Sequence, residues 1–220
     1  MIQGLIDKQD NFEIIRDQVA AILKLESTSQ QALATAAGED PDLWKLRVYR
    51  ERANPWEAVR DQQSDLSPIV NVWFDNANYD DGTSNISERQ KSETMINIDC
   101  IGFAVSSPDG QGGHQPGDRE AAFAVQRAIR LVRNILMASE YTYLGLRGTV
   151  WKRWPQSVTT FQPQQDGRST VRAVGARIAL RVEHNEFAPQ YQGQDLELLT
   201  AQVTETNAGE IVILAEYDYT

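Results

Sequence analysis

The chain of 220 residues has little of what metal sites, disulfides and export require. It has one cysteine, Cys100, and two histidines, His114 and His184. A single cysteine excludes an intrachain disulfide, and zinc sites draw on several Cys or His ligands at short spacing. Cys100 lies inside an apolar run, which is typical of a small buried side chain. We therefore expect no metal, and we expect His184, between Glu183 and Asn185, to be a solvated side chain.

Long apolar runs and a basic leader are also missing. No stretch approaches the roughly 18 apolar residues of a membrane span. The start, MIQGLIDKQDNF, lacks a basic segment followed by an apolar one, so we expect no signal peptide. The net charge of −10 disfavours sequence-specific binding to nucleic acid phosphates. An acidic surface is still compatible with a channel along which DNA slides without sticking.

A glycine-rich segment, SSPDGQGGHQPGDREAAF over 106–123, joins an apolar run to a helical pattern. A phosphate-binding loop needs a lysine and a Ser or Thr after its last glycine, whereas Asp118 and Arg119 follow Gly117 here. Asp118 is also well placed as a helix N-cap, where its charge would repel an anion. The segment thus predicts no cofactor but a connecting or docking loop. We expect its contacts at Gly112, Gly113 and His114.

The apolar periodicity predicts an α+β fold with an antiparallel-rich β-sheet. Two main helices should pack on one face of the sheet, one capped by Asp10 with Glu13 and stopped by Gly38 and Pro41, and one starting near Arg119. LWKLRVYRERA should form a strand, and ETMINIDCIGFAVSS a longer strand with one end covered on both sides. A long exposed loop is expected over 75–92. Leu199, Val203 and the run after the TNAG turn predict a C-terminal β-hairpin extension. We predict a domain over 1–188 and a linker with a hairpin arm over 189–220.

Arginines recur at two places. Arg127, Arg130 and Arg133 form a ridge beside the apolar stripe of the second helix, in which Phe123 is expected on the buried side. Arg177 and Arg181 alternate with apolar residues in a late strand. The ridge fits a solvated face, pairing with acidic groups of a second copy, or DNA contact, and the sequence leaves these alternatives open. Trp151 and Trp154 fit partly buried core residues or interface anchors.

The segments NFEIIRDQVAAIL, TMINIDCIGFAV, REAAFAVQRAIRLVRNIL and VRAVGARIALRVEHNE, within residues 10–186, together resemble the tail terminator proteins of tailed bacteriophages, in particular those with contractile tails. The resemblance implies a homohexameric ring that caps the tail tube, ends its polymerisation and joins the tail to the head connector. It implies the tube protein, the sheath protein and connector proteins as partners, with DNA passing through the bore. The location implied is the tail neck of the virion, assembled in the host cytoplasm.

These features lead to the following site hypotheses. Arg127, Arg130, Arg133, Arg177 and Arg181 would form subunit interfaces. Leu199, Val203, Ile211 and Ile213 would carry an arm that adds to the sheet edge of a sheath subunit. We expect no enzyme, because no catalytic constellation stands out. Another neck, connector or baseplate adaptor protein is an alternative, and a less favoured one is a hydrolase with a carboxylate pair that the sequence does not single out.

Overall fold

The computed structural model describes residues 7–55, 65–80, 89–108, 114–115, 117–163, 171–187, 198–205 and 211–218. Two α-helices lie in these ranges, α1 (Asn11–Ala37) and α2 (Gly117–Met137). Short 3₁₀ helices follow at Pro41–Trp44 and Ser139–Tyr141. The strands are β1 (Arg47–Arg50), β2 (Ile69–Tyr79), β3 (Arg89–Val105), β4 (Ser107–Pro108), β5 (His114–Gln115), β6 (Val150–Phe161), β7 (Val171–Phe187), β8 (Leu198–Glu205) and β9 (Ile211–Asp218).

Five strands form one mixed sheet in the order β1-β2-β3-β7-β6. β1 runs parallel to β2, and every other neighbouring pair is antiparallel. β4 and β5 form a small ribbon, and β8 pairs with β9 as a hairpin. The predicted α+β class, the antiparallel-rich sheet and the C-terminal hairpin are therefore confirmed.

The first helix begins and ends where the sequence predicted. The Glu13 carboxylate accepts the backbone N–H of Asp10 at 3.1 Å, which is half of a capping box. The Glu186 carboxylate accepts the free N–H of Asn11 as well. At the other end Gly38 adopts a left-handed φ of 74°, the usual conformation just after a helix. α1 is thus fixed at its start to the end of β7.

The second helix lies unusually close to the sheet. A Cβ on Gly102 of β3 would be 2.4 Å from the carbonyl oxygen of Ala121 and 2.6 Å from the backbone N of Val125. Only glycine lets a strand and a helix backbone approach so closely. At its end, Arg153 of β6 donates to the carbonyl oxygens of Leu136, Ala138 and Thr142 at 2.6, 2.8 and 2.8 Å. Because Arg153 supplies the donors that these carbonyls need, it ties the end of α2 to β6.

Both helices cover one face of the sheet, as predicted. Their buried residues, among them Ile15, Leu23 and Val132, share one core with strand residues such as Ile98 and Ile178. A smaller apolar cluster lies on the opposite face at one end of the sheet. It contains Ile69, Ile101, Phe103, Val171 and Ala173. The expectation that one end of β3 is covered on both sides is therefore confirmed.

Three strands differ in length from the prediction. β2 continues to Tyr79 and β3 begins at Arg89, so much of the predicted 75–92 loop is paired strand. Polar residues weaken strand propensity, but pairing with a long neighbour outweighs it. β1 is shorter than expected, because Pro41–Trp44 forms a 3₁₀ helix before it. No helix in the described part of the chain is long and apolar enough to cross a membrane.

Contacts within the chain divide it into two compact units. One spans residues 8–187 and contains the five-stranded sheet with both helices. The other contains the β8–β9 hairpin. The residues of the predicted subunit interfaces belong to the first unit, and those of the predicted arm belong to the second.

Candidate interaction surfaces

The sheet face that points away from the helices carries a cluster of aromatic and arginine side chains, which we call the sheet patch. Register places these residues together, since Asp99 pairs with Arg177 across β3 and β7, and Thr159 of β6 pairs with Arg177 on the other side. Side chains at directly paired positions share a face. The sheet patch consists of Trp73, Trp154, Phe161, Arg177 and Arg181.

One half of the sheet patch is built around Arg177. Its Nε and Nη2 atoms donate to the two Asp99 oxygens at 2.7 and 3.0 Å, and Asp99 also accepts the Trp73 indole N–H at 3.0 Å. The guanidinium lies 4.6 Å from the Trp73 ring centre and 5.7 Å from that of Phe161. The hydrogen bonds with Asp99 raise the pKa of Arg177. A two-pronged ion pair between two rings leaves this arginine little freedom to reorient.

The other half is built around Arg181, which forms an ion pair with Glu93. Its guanidinium lies 4.9 Å from the Trp154 ring centre, and the Lys152 ammonium lies 4.5 Å from the same ring. The Nε of Arg181 is buried and has no hydrogen-bond partner within the described residues. Trp154 is half-buried, so two cations flank an indole that still reaches the surface.

The sheet patch therefore holds large side chains in fixed orientations at the surface. Trp and Arg are the residues most enriched at the energetic centres of protein interfaces. Side chains that are already ordered lose less conformational entropy when a partner binds. The sequence pointed to Arg177 and Arg181, but not to their acidic partners Asp99 and Glu93, which belong to the same chain. Whether the two arginines also meet a second copy stays a prediction.

The arginine ridge of α2 is exposed beside the core. Arg130 and Arg133 are exposed and Arg127 is half-buried. None of the three forms an ion pair with residues that the structure describes. Phe123 does not lie on the buried side as predicted: half of its surface is exposed, with the Arg119 guanidinium 5.5 Å from its ring centre. The close contact at Gly102 turns Ala121 and Val125 inward, and Phe123 between them points outward.

The glycine-rich segment is only partly described. Gly112 and Gly113 lie outside the described residues, and His114 begins β5, where it pairs with Pro108. The prediction that these three residues make contacts is untested. Asp118 is not the N-cap, because α2 already includes Gly117; it lies in the first turn together with Glu120. Carboxylates there still complement the positive end of the helix dipole.

The hairpin register gives the four predicted arm residues a common side. Val203 pairs with Ile213, Glu205 with Ile211 and Leu199 with Tyr217. Because alternate residues of a strand share a face, Leu199, Val203, Ile211 and Ile213 occupy the same side of the ribbon. This placement fits an arm with one apolar side, and its contact with a sheath subunit stays a prediction.

Two polar groups are buried in the core instead of forming a site. His184 is fully buried, not solvated as expected, with Nε2 2.8 Å from the Thr94 hydroxyl and Nδ1 3.1 Å from the Asn185 carbonyl oxygen. Burial lowers its pKa, although the Asn185 carbonyl opposes this. Cys100 is buried as expected, and burial raises its pKa. The alternation that places Val182 in the core also places His184 there.

Carboxylates outside the sheet patch are also held by local partners. Lys45 and Ser67 donate hydrogen bonds to Asp65; burial alone would raise the pKa of Asp65, but these bonds lower it. Burial raises the pKa of Glu186, the carboxylate at the start of α1. No group of three or more His, Cys, Asp or Glu residues in the described ranges could hold a metal ion. Comparison of the chain with protein-family models and with curated protein sequences finds no match.

Proposed function

We propose that the protein is a structural subunit of a phage virion that assembles with copies of itself into a ring, as tail terminator proteins do. The observation that carries the proposal is the sheet patch. It presents Trp154 and two arginines, fixed by Asp99 and Glu93, on the sheet face that the helices leave open. Such an ordered aromatic and arginine cluster suits a stable contact with another folded protein surface.

The arginine ridge supports self-association by its charge. Arg130 and Arg133 are exposed cations in a chain with 31 acidic and 21 basic residues. The surface of another copy therefore offers many carboxylates to an exposed arginine. A cyclic arrangement satisfies such contacts when one patch of a subunit meets a different patch of the next, since each copy then gives and receives one interface.

In this proposal the ring caps the tail tube and meets the last sheath ring, stops tube polymerisation and joins the tail to the head connector. The tube protein, the sheath protein and connector proteins are its partners, and the assembled protein resides in the tail neck. Its acidic charge keeps DNA from adhering as it passes through the bore.

The oligomeric state of the purified protein tests the proposal. Native mass spectrometry and negative-stain electron microscopy should show a closed ring of one defined subunit number. Arg130→Glu should reduce the ring to smaller species, because it places a negative charge where carboxylates of the next copy bind. Lys24→Glu is the matched control, since Lys24 is exposed on α1 and makes the same charge change. A monomeric wild-type protein at tens of micromolar would refute the ring.

The role in the tail needs a second experiment. Tail tube protein polymerised in the presence of the ring should give tubes that are capped and no longer extend when more subunits are added. The Arg130→Glu variant should not cap the tubes, so they should extend as they do without the ring protein. The Lys24→Glu variant should cap them like the wild type. A ring that forms but does not bind tube ends would point instead to another neck or baseplate position, which immunogold labelling of virions would locate.

A further inference from the structure

Among the residues that the structure describes, the outer edge of β6 is an unpaired sheet edge. β6 lies at the end of the strand order, and no described strand pairs with its far side. Its first half is irregular, with register shifts at Val150/Lys152 and at Pro155/Ser157. From Ser157 to Phe161 the pairing with β7 is regular, without proline or charge. Natural sheets usually protect an exposed edge with proline, charged side chains or register shifts. Because Ser157–Phe161 has none of these, this half of β6 can pair with another strand.

Side-chain exposure along this half of β6 agrees with a strand-docking edge. Ser157, Thr159 and Thr160 are exposed, and half of the Val158 surface is accessible. On the sheet side Phe161 lies over Gly175 of β7, with ring atoms 2.5 Å from where a Cβ would stand. The ring thus covers the glycine and stiffens the strand pair. A regularly paired edge that is rich in β-branched residues matches the sites at which added strands bind.

The β8–β9 hairpin is a two-stranded pair. Its two strands of eight residues pair only with each other among the described residues. An isolated two-stranded hairpin is marginally stable in water, and a third strand or a packed face is needed to stabilise it. Register and alternation place seven apolar or aromatic residues on one side of the ribbon. They are Leu199, Ala201, Val203, Ile211, Ile213, Ala215 and Tyr217.

Charge makes β6 and the hairpin complementary. Six of the 31 acidic residues and none of the 21 basic residues lie in 188–220, so that segment carries −6 of the net −10 and residues 1–187 carry −4. β6 carries two charged residues, Lys152 and Arg153, both basic. Because Arg153 is engaged by the end of α2 and Arg181 of the neighbouring β7 by Glu93, the exposed Lys152 is the cation that β6 offers to a partner. The segment that contains the hairpin is thus acidic, and β6 is basic in its first half.

The connection is long enough to reach another molecule. Ten residues, 188–197, separate the end of β7 from the start of β8. Fully extended, ten residues span roughly 35 Å, which exceeds the width of a five-stranded sheet at about 4.8 Å per strand. A hairpin on such a connection can leave its own subunit.

We propose that the β8–β9 hairpin of one copy adds as strands to the outer edge of β6 in a second copy, along Ser157–Phe161. The inference rests on the proposed assembly role and names the contact that links one subunit to the next. The hairpin then gains the third strand that an isolated strand pair needs for stability. Each copy donates one hairpin and accepts one, so the contact repeats around a closed ring and no copy is left without a partner.

Cross-linking between two differently tagged chains tests the contact directly. One chain carries Thr160→Cys and the other Val203→Cys, and the single native thiol, Cys100, is buried and does not compete. After the two chains are mixed and their subunits exchange, a short bismaleimide should link the two cysteines and give a product that carries both tags. Its spacer allows the link to form even when the two cysteines are not directly paired across the strands. Lys24→Cys in place of Thr160→Cys is the control and should give no such product. A yield no higher than that of the control would overturn the proposal.

Proline substitution tests the edge itself. Neighbouring residues of an edge strand direct their backbone N–H groups alternately toward β7 and away from it. One of Thr159→Pro and Thr160→Pro should therefore keep the circular dichroism spectrum of the wild type, because its lost N–H faced outward. That variant should raise the dissociation constant for self-association by at least about tenfold and abolish the cross-link. Wild-type association by the folded variant would overturn the proposal.

Deletion of residues 188–220 separates this inference from the proposed function. We expect the truncated chain to stay folded, because 8–187 is a compact unit, and to be monomeric by native mass spectrometry. A ring that persists after truncation would overturn the hairpin contact and leave the proposed function standing. A wild-type monomer whose hairpin instead cross-links to a sheath subunit would overturn both the exchange between copies and the self-assembled ring.

Discussion

Replacing Gly102 with alanine tests how closely α2 is seated on the sheet. The new Cβ would lie 2.4 Å from the Ala121 carbonyl oxygen, 2.6 Å from the Val125 backbone N and 3.0 Å from the Ala124 Cβ. The two nearest atoms belong to the backbone of one helix, so no side-chain rotation can relieve the overlap. To reach an ordinary contact of 3.4 Å, α2 must move away by about 1 Å over this turn.

The size of the effect follows from that displacement. A gap of 0.5–1 Å removes roughly a quarter to a half of the dispersion energy between the surfaces that separate. The surfaces here include Ala121, Val125 and Ala128, which are buried against β3 and β7. We expect the free energy of unfolding to fall by about 3 kcal/mol, the upper end for an overpacked core. For a chain of this length that lowers the Tm by about 6–12 °C.

Thermal unfolding followed by circular dichroism, at one protein concentration, measures the change. Gly38→Ala is the matched control, because nothing lies within 4 Å of its added Cβ and only the left-handed φ of 74° is strained. That strain costs about 1 kcal/mol, or a Tm loss of about 2–4 °C. A Gly102→Ala protein that melts no lower than Gly38→Ala would refute the close approach of α2 and β3.

Three further predictions concern single side chains. His184 has a lowered pKa in the folded state, so its contribution to stability is complete above pH 6.5 and is lost as the pH falls toward the folded-state pKa. The fall in Tm between pH 7 and 5 should therefore be shallower in His184→Gln than in the wild type. Arg153→Met should lower the free energy of unfolding by about 2 kcal/mol in urea titrations, because three carbonyl oxygens lose a charged donor; Arg153→Lys, without the planar fork, should recover only part. Cys100 should resist an aromatic disulfide reagent in the native protein and react at the unfolding rate, since it is fully buried and its pKa is raised; fast labelling would contradict the packing of β3.

Local chemistry was enough to predict several elements from the sequence. Asp10 and Glu13 indicated the start of α1, and Gly38 with Pro41 its end, because capping depends on neighbouring residues alone. Alternation from Val174 to Val182 indicated which side of β7 is buried, and the same period continued one step further would have placed His184 in the core. Its polar neighbours favoured the wrong interpretation.

The sheet patch could not be predicted because it depends on register. Asp99 and Arg177 are 78 residues apart, and a slip of one residue between β3 and β7 would put them on opposite faces. Trp73 joins them from a third strand. The sequence contains the alternation of each strand, but the pairing that unites three strands is set by the packing of the whole core.

The place of β7 in the sheet has a consequence for how the protein folds. β7 is the last strand of the 8–187 unit, yet it lies between β3 and β6, and Glu186 near its end receives the N–H of Asn11. The pairs that close the sheet therefore join residues up to 98 positions apart, as between Arg89 and Phe187. High contact order of this kind slows folding. During synthesis on the ribosome, the edge of β3 that pairs with β7 stays unpaired until nearly the entire unit has been synthesised. In that interval the nascent chain is most exposed to pairing with an incorrect strand.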